Sequence, residues 1–367
     1  MRSPYFLIDE QRLRSNLQLI HSVQEQAGVQ VLLALKAFSF WPSFDVFRSF
    51  GFEGAASSYH EARLIHEELG KPAHTFSTVF YDDDFDAICD HSSHLIFNSV
   101  SMLEKYKGRA TERGMSIGLR VNPEWSDVQT DLYNPASTDS RLGVTAQSLG
   151  DYWDDSIEGL HFHVLCESDS YSFEQAFRSF EEKFGHRISQ VKWLNFGGGH
   201  LMTKAGYDTD HLVQLLKGIL EKYNVKIYLE PGAAFVWQTG ELITEVMDIV
   251  NNGSTKIACL DVSFTCHMPD TLEMPYKPTV IGEVAESEHE YILGGTSCLA
   301  GDFIRGFHFE NPLQVGDRLV FEDMIQYTLV KTTFFNGVKH PSVYRTKTDG
   351  STELLRSYTY QHFKDRC

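Results

Sequence analysis

The chain has 367 residues, 42% of them hydrophobic, which is material for a large core and exceeds one typical domain, although an α/β barrel alone takes about 250 residues. Its formal charge of −18 disfavours nucleic acid and anionic membrane as partners and suits a small cationic substrate. No apolar run is long enough to cross a bilayer, Met1–Asp9 lacks a signal-peptide apolar region, and the six cysteines (Cys89, Cys166, Cys259, Cys266, Cys298, Cys367) form no C-x-x-C pair, which together predict reduced thiols in a cytoplasmic protein.

Pro4–Ile8 is strand-like. Next comes Val31–Ala37, within the apolar run Val31-Leu-Leu-Ala-Leu-Lys-Ala-Phe38, which reads as a strand buried on both faces and carries a single lysine, Lys36. Further β-rich runs lie at Glu53–Ser58, His74–Val79, His94–Ser99, Ser116–Asn122, Ile157–Leu165, Trp193–Gly199 and Lys226–Gly232. Helical patterning separates them. In Ser58–Gly70 apolar residues fall at helical spacing ahead of a closing glycine, and Phe173–Phe184 and Asp210–Tyr223 behave alike. Strand–helix alternation repeated in this way predicts a (β/α)8 TIM barrel. Asp82-Asp-Asp-Phe-Asp86 reads as a solvated helix start rather than a metal site, and the Asp-, Ser-, Thr- and Pro-rich Pro123–Gly150 as a substrate-side loop.

From about residue 240 the period changes. Glu241–Val250, Lys256–Phe264, Glu288–Gly294, Asp317–Phe321 and Tyr327–Phe334 read as strands joined by turns such as Asn251-Asn-Gly253 and Asn311-Pro312. The expectation is an α/β chain with the barrel over residues 10–240, followed by a mainly-β C-terminal domain over 241–367. The N-terminal strand, residues 1–9, is grouped with that domain, although its residues alone allow either part.

Barrel enzymes build their sites at the C-terminal ends of the strands. Lys36 closes the first strand, Ser57 and Ser58 the second, Arg120 and Asn122 the fifth, His161 and His163 the sixth, Gly197-Gly-Gly199 the seventh and Glu230-Pro-Gly232 the eighth. Burial pushes Lys36 toward the neutral amine that attacks carbonyls, as in a Schiff-base lysine; a head group held in water is the competing reading. Three successive glycines expose backbone N–H groups that can wrap a phosphate, or simply make a flexible turn. Glu230 follows the apolar Ile227-Tyr-Leu229, so its carboxylate wants a cationic or proton-donating partner, such as a protonated pyridine nitrogen or an arginine. His161 and His163 alternate and so point to one side. His-x-His also opens metal sites in hydrolases, but the other strand ends offer no matching ligand set, and no metal is expected. Cys298, in Gly294-Gly-Thr-Ser-Cys-Leu-Ala-Gly-Asp302, is a reactive thiol or a small buried residue, and Tyr327 reaches a phosphate or packs.

Taken in order, Ala34-Leu-Lys-Ala37, Gly159-Leu-His-Phe-His163, Asn195-Phe-Gly-Gly-Gly199, Glu230-Pro-Gly232, Cys298-Leu-Ala-Gly-Asp302 and Gln326-Tyr-Thr328 resemble the fold-type III pyridoxal-phosphate decarboxylases, the alanine-racemase-like barrel family, along nearly the whole chain. Gly159–Glu167, Asp261-Val-Ser-Phe-Thr-Cys-His-Met-Pro-Asp270 and the short chain are most similar to the carboxynorspermidine/carboxyspermidine decarboxylases within it.

The resemblance implies pyridoxal 5'-phosphate as cofactor, bonded to Lys36. It puts His163 on the pyridine ring, Glu230 at the ring nitrogen, and Gly197, Gly198, Gly199, Gly232 and Tyr327 near the phosphate. It further implies an obligate homodimer in which Cys298 and Asp302 serve the partner's site, and decarboxylation of carboxynorspermidine or carboxyspermidine in polyamine biosynthesis. Cys298 is the candidate for proton delivery, and Asp270, Glu273 and Asp302 are the acids available to substrate ammonium groups. Three positions depart from the family pattern: Ala233 stands where an arginine or an acid is expected, Leu299 where ornithine decarboxylases carry an acid, and Cys166 where a phosphate-binding serine is common. The alternatives are a decarboxylase for diaminopimelate, ornithine or lysine, a racemase, or a non-catalytic cofactor-binding homologue.

Overall fold

The computed structural model describes residues 1–128 and 134–367; part of the expected substrate-side loop, residues 129–133, lies outside them. Two compact units form, one from Met1–Ser15 with Val236–Cys367 and one from Asn16–Phe235.

The chain opens with β1 (Tyr5–Asp9), whose partners come more than two hundred residues later. The Asn16–Phe235 unit is built on β2 (Gln30–Ala34), β3 (Glu53–Ala56), β4 (Ala73–Ser77), β5 (Ser92–Phe97), β6 (Ser116–Asn122), β7 (Val144–Thr145), β8 (Ile157–His161), β9 (Trp193–Asn195) and β10 (Lys226–Leu229). All pairings are parallel; β10 bonds back to β2 and β5 to β6, so eight strands close into a barrel, with the two-residue β7 lying beside β6. Each of the eight apolar runs supplies one barrel strand.

Seven of the eight strands stop earlier than their runs, and β6 matches its run. β2 ends at Ala34, so Lys36 lies in the following turn; β9 ends at Asn195 because Gly197 and Gly199 take φ of 64° and 92°. The expected helix after β3 starts at Tyr59 with Ser58 capping it, runs to Leu64, continues as a π-turn over Ile65–Leu69, and stops at Gly70, left-handed at φ 72°. Asp82 starts the helix Asp82–His91, and its acids meet Lys105 and Arg109 at the surface, as a solvated helix start should.

The strand-start half of the barrel is filled by aromatic side chains. Trp193, Tyr228, Leu32, Ala55 and Ile96 form one buried cluster with Phe76 against it. Trp193 fits because β6 and β8 present glycines: a Cβ at Gly159 would lie 2.1 Å from the indole, and one at Gly118 2.3 Å. His74 and His94 stack nearby with centroids 3.8 Å apart, each edge-on to Tyr228.

The other unit carries an eight-stranded sheet. Its strands are β1, β11 (Gly240–Asn252), β12 (Thr255–Leu260), β13 (Glu290–Gly294), β14 (Phe303–His308), β15 (Arg318–Phe321), β16 (Ser342–Thr346) and β17 (Thr352–Arg356), in the order β14-β13-β12-β11-β1-β16-β17 with β15 also on β11. β1 runs antiparallel to β11 and parallel to β16.

Two expectations are corrected here. The Lys256–Phe264 strand stops at Leu260, and Phe264–His267 forms a short helix capped by Ser263. Tyr327–Phe334 is not a strand: Tyr327 sits at φ 45°, the Lys331 N–H returns to the Tyr327 carbonyl at 2.8 Å, and the Thr333 N–H bonds the Cys266 carbonyl, so the segment coils through turns. β14, β16 and β17 were not read from the sequence. The Asp349-Gly350 pair between β16 and β17, with Gly350 at φ 81°, is the hairpin signal that locates the last two.

Candidate active site

The chemistry-bearing residues of the barrel gather at the strand ends. Lys36 Nζ lies 3.1 Å from His163 Nε2. By area Lys36 is exposed, because the turn after β2 opens toward the C-terminal end of the barrel; by depth it is enclosed in protein. Depth governs its charge: desolvation lowers its pKa below the ordinary 10.5, nearby Arg120 lowers it further, and Glu230 pulls the other way. His163 is likewise pushed well below the ordinary imidazole value by burial and by the cations Lys36 and Arg120.

The Gly198 N–H donates to His163 Nδ1 at 3.0 Å, which places the imidazole proton on Nε2, facing Lys36. In that tautomer Nε2–H donates to Lys36, and only a neutral amine can accept. The opposite tautomer sends Nδ1–H to the Gly198 carbonyl at 3.1 Å and takes a proton from Lys36. The lowered lysine pKa favours the first arrangement. The strand itself ends at His161, so the simple alternation expected through His163 does not continue, and the two imidazoles have different neighbours.

Glu230 is enclosed with 12% of its side chain exposed, and desolvation alone would raise its pKa; His161, Asn195 and the Lys36 charge outweigh that and hold the carboxyl below its ordinary value. Asn195 Nδ2 donates to Oε1 at 2.7 Å, and Oε2 faces His161 Nε2 at 3.6 Å. Asn195 has no role in the sequence expectation; an amide closing a strand ahead of a glycine triplet is the signal that marks it, since its Oδ1 also accepts the Gly197 N–H at 2.9 Å. Phe76 was missed altogether. The Arg120 guanidinium stands 4.5 Å from its ring centre, and His161 lies nearly parallel to it at 5.6 Å, 23° between planes. Arg120 also donates to the His163 carbonyl at 3.1 Å, and burial lowers its pKa to about 10.

The glycine triplet is less open than its composition suggests. Gly197 N–H is spent on Asn195 and Gly198 N–H on His163; Gly199 is the member with no N–H partner among the described residues. All three must be glycine for space, because a Cβ would come within 2.2–2.5 Å of Leu165 O, Glu230 O or His163 Cβ. Gly232 packs against Ala37 in the same manner and leads into the short helix Ala233–Val236. Ser57 and Ser58 order the neighbouring turn: Ser57 N–H donates to Glu61 at 2.6 Å and Ser58 caps the helix. Cys166 is exposed at its edge, its thiol raised by burial of the surrounding turn.

The remaining candidates lie in the sheet unit. Cys298 is exposed, its N–H bonded to Asn336 Oδ1 at 2.8 Å. The Asp302 carboxylate is buried and accepts the N–H groups of Thr265 and Ser297 at 3.0 Å and the Ser297 hydroxyl at 2.6 Å, so it fixes the turn that carries Cys298. Asp270 and Glu273 share one short helix and both pair with Lys331. Tyr327 lies in a turn at left-handed φ, four residues ahead of Lys331. Among the described residues no group of three or more His, Cys, Asp or Glu is arranged to hold a metal ion.

A lysine whose pKa is lowered by burial, set at the C-terminal end of a barrel beside an ionised carboxylate, has the surroundings of an enzyme active site. The family profile described as "pyridoxal-dependent decarboxylase, C-terminal sheet domain" matches residues 78–325. The chain is 45% identical to the carboxyaminopropylagmatine decarboxylase of Synechocystis sp., over 99% of this chain and 95% of that one. It is 39% identical to the carboxynorspermidine/carboxyspermidine decarboxylase of Campylobacter jejuni, over 100% and 98%. The solved structure of carboxynorspermidine decarboxylase from C. jejuni complexed with norspermidine superposes with a TM-score of 0.93 at 38% identity, covering 100% of both chains. The chain belongs to the pyridoxal-dependent decarboxylase family. It is a decarboxylase whose cofactor is pyridoxal 5'-phosphate, and its fold is the barrel-plus-sheet fold of that family.

The barrel residues fit that cofactor. The glycine cradle at Gly197–Gly199 and Gly232 excludes any Cβ, and among the described residues the Gly199 N–H and both ring nitrogens of buried His161 have no hydrogen-bond partner.

Proposed function

We propose that the enzyme decarboxylates a carboxypolyamine, carboxynorspermidine or carboxyspermidine, in polyamine biosynthesis. The observation that carries this reading is the near-complete superposition on the norspermidine-bound decarboxylase. Support also comes from the charge of −18 and the acid pair Asp270 and Glu273, which suit a polycationic substrate. Diaminopimelate decarboxylases are more distant, at 25% identity over 72% of the chain for that of Aquifex aeolicus. One second reading has its own observation: the 45% identity to the Synechocystis enzyme favours carboxyaminopropylagmatine, which would put a guanidinium where a polyamine carries an ammonium.

Bound pyridoxal phosphate supplies the electron sink for loss of carbon dioxide. The chain's own residues prepare for it. Lys36, held toward the neutral amine, is the nucleophile that bonds the cofactor. His163 would flank the pyridine ring, with Nδ1 fixed by Gly198. Glu230 stays ionised to hold a proton at the ring nitrogen, a charge placed in advance for the transition state. Gly197, Gly198, Gly199, Gly232 and Tyr327 would hold the phosphate. Cys298 delivers or directs the proton to the product carbon, and Asp270, Glu273, Asp302 and the backbone at Ala233 line the substrate. We place the enzyme in the cytoplasm as a homodimer whose sites draw Cys298 and Asp302 from the partner subunit.

Two measurements test this. Comparing kcat/KM for carbon dioxide release from carboxynorspermidine, carboxyspermidine, carboxyaminopropylagmatine, meso-diaminopimelate and ornithine should favour one of the first two; preference for the third moves the assignment to the second reading, and preference for an amino acid overturns both. Mixing inactive Lys36→Ala with inactive Cys298→Ala should restore activity through hybrid dimers. No recovery would refute shared sites.

A further inference from the structure

Glu230 has one oxygen secured and one facing a single candidate. Asn195 holds Oε1, whereas Oε2 looks at His161 Nε2 across 3.6 Å, a gap that a small ring rotation closes to a hydrogen bond. His161 is 1% exposed, and among the described residues neither of its nitrogens has a hydrogen-bond partner. A buried imidazole N–H without an acceptor is costly, and Glu230 is the acceptor beside it.

We propose that His161 is a positioning residue: as a neutral imidazole it donates its Nε2 proton to Glu230 Oε2, and so fixes the proton of the Glu230–cofactor pair on the ring nitrogen rather than on the carboxylate. The charged groups around it decide that the donor is neutral. Burial lowers its pKa; Glu230 opposes this, Arg120 and Lys36 reinforce it, and His163 stands in the same field. The ring's plane is set by Phe76, which also holds Arg120. Arg120 and His161 are register partners on neighbouring β6 and β8, so Phe76 touches both from β4. With Asn195 on one oxygen and His161 on the other, the carboxylate can neither rotate nor take up a proton cheaply.

The inference rests on the assignment of Glu230 to the ring nitrogen, and the test separates the two. Apoprotein is reloaded with pyridoxal phosphate, and two quantities are read: its dissociation constant, and the pH midpoint of the bound cofactor's absorbance. Glu230→Gln should move the midpoint. His161→Leu should move it in the same direction by about one pH unit and weaken cofactor binding about tenfold. His161→Gln, which keeps an N–H donor, should recover most of both.

If Glu230→Gln moves the midpoint while His161→Leu matches the parent protein, the proposal is wrong. It is equally wrong if His161→Gln fails as badly as His161→Leu. An unmoved midpoint in Glu230→Gln instead refutes the assignment of Glu230, and the proposal with it. Should circular dichroism show that His161→Leu does not fold, His161→Asn, whose shorter amide does not reach Oε2, takes its place under the same criteria.

Discussion

At the strand starts of the barrel, His74 and His94 stack on each other among Tyr228 and Trp193; at the strand ends, His161 and His163 face Glu230 and Lys36. Burial pushes all four pKa values down, His94 to about 4. What differs is the company. The first pair meets aromatic faces and a serine hydroxyl, and contributes shape. The second meets an amine and a carboxylate, where a neutral imidazole can pass or hold a proton. The same residue type in one barrel therefore sits either among aromatic faces or against an amine at 3.1 Å and a carboxylate at 3.6 Å.

The comparison breaks first at Lys36. Lys36→Ala should reduce kcat at least about 10³-fold while leaving the thermal unfolding temperature nearly unchanged. It should also abolish the borohydride-trapped cofactor, and a variant still labelled one-to-one would remove Lys36 from the chemistry. At the other end, Gly159→Ala should do the reverse, destabilising the fold by about 1–3 kcal/mol by driving a methyl into Trp193. Denaturant unfolding measures this, and an unchanged midpoint would show that the packed end yields.

The stacked pair predicts a pH dependence of stability. Both folded-state values lie below the ordinary 6.5, so between pH 6.5 and about 4 the unfolded chain binds more protons than the folded one. Stability should be full above pH 6.5 and fall as pH drops toward 4, and His94→Phe should flatten that fall in thermal melts across the range. Smallest of all, Ser58→Ala removes the cap of the helix after β3 and should cost about 1 kcal/mol in the same melts, with kcat within twofold.

Much of the strand-end chemistry was legible because it is written in short motifs. An ammonium in an apolar run, three glycines and a carboxylate after Tyr-Leu are each anomalous locally, and the barrel count placed them together. Phe76 was not, because nothing in its own segment marks it and its neighbours Arg120 and His161 stand on other strands; Asn195 is marked only by its place before the glycine triplet, and its partner Glu230 follows another strand. The stretch Tyr327–Phe334 misled for a related reason. Its aromatic and β-branched residues satisfy strand propensity, yet its backbone bonds go to Tyr327 itself and to Cys266, and Lys331 is drawn to Asp270 and Glu273.

β1 has a consequence for how the molecule is made. Its five residues leave the ribosome early, but their ladder partners Ile243–Gly240 and Ser342–Thr346 are translated after the entire barrel. The sheet is thus closed by contacts of very high sequence separation, which are slow to form, while the barrel strands find most partners locally. A nascent chain should pass through a stage in which the barrel is protected from protease and the Tyr5–Asp9 segment is still an unpaired edge-former, the stage at which aggregation is most to be expected.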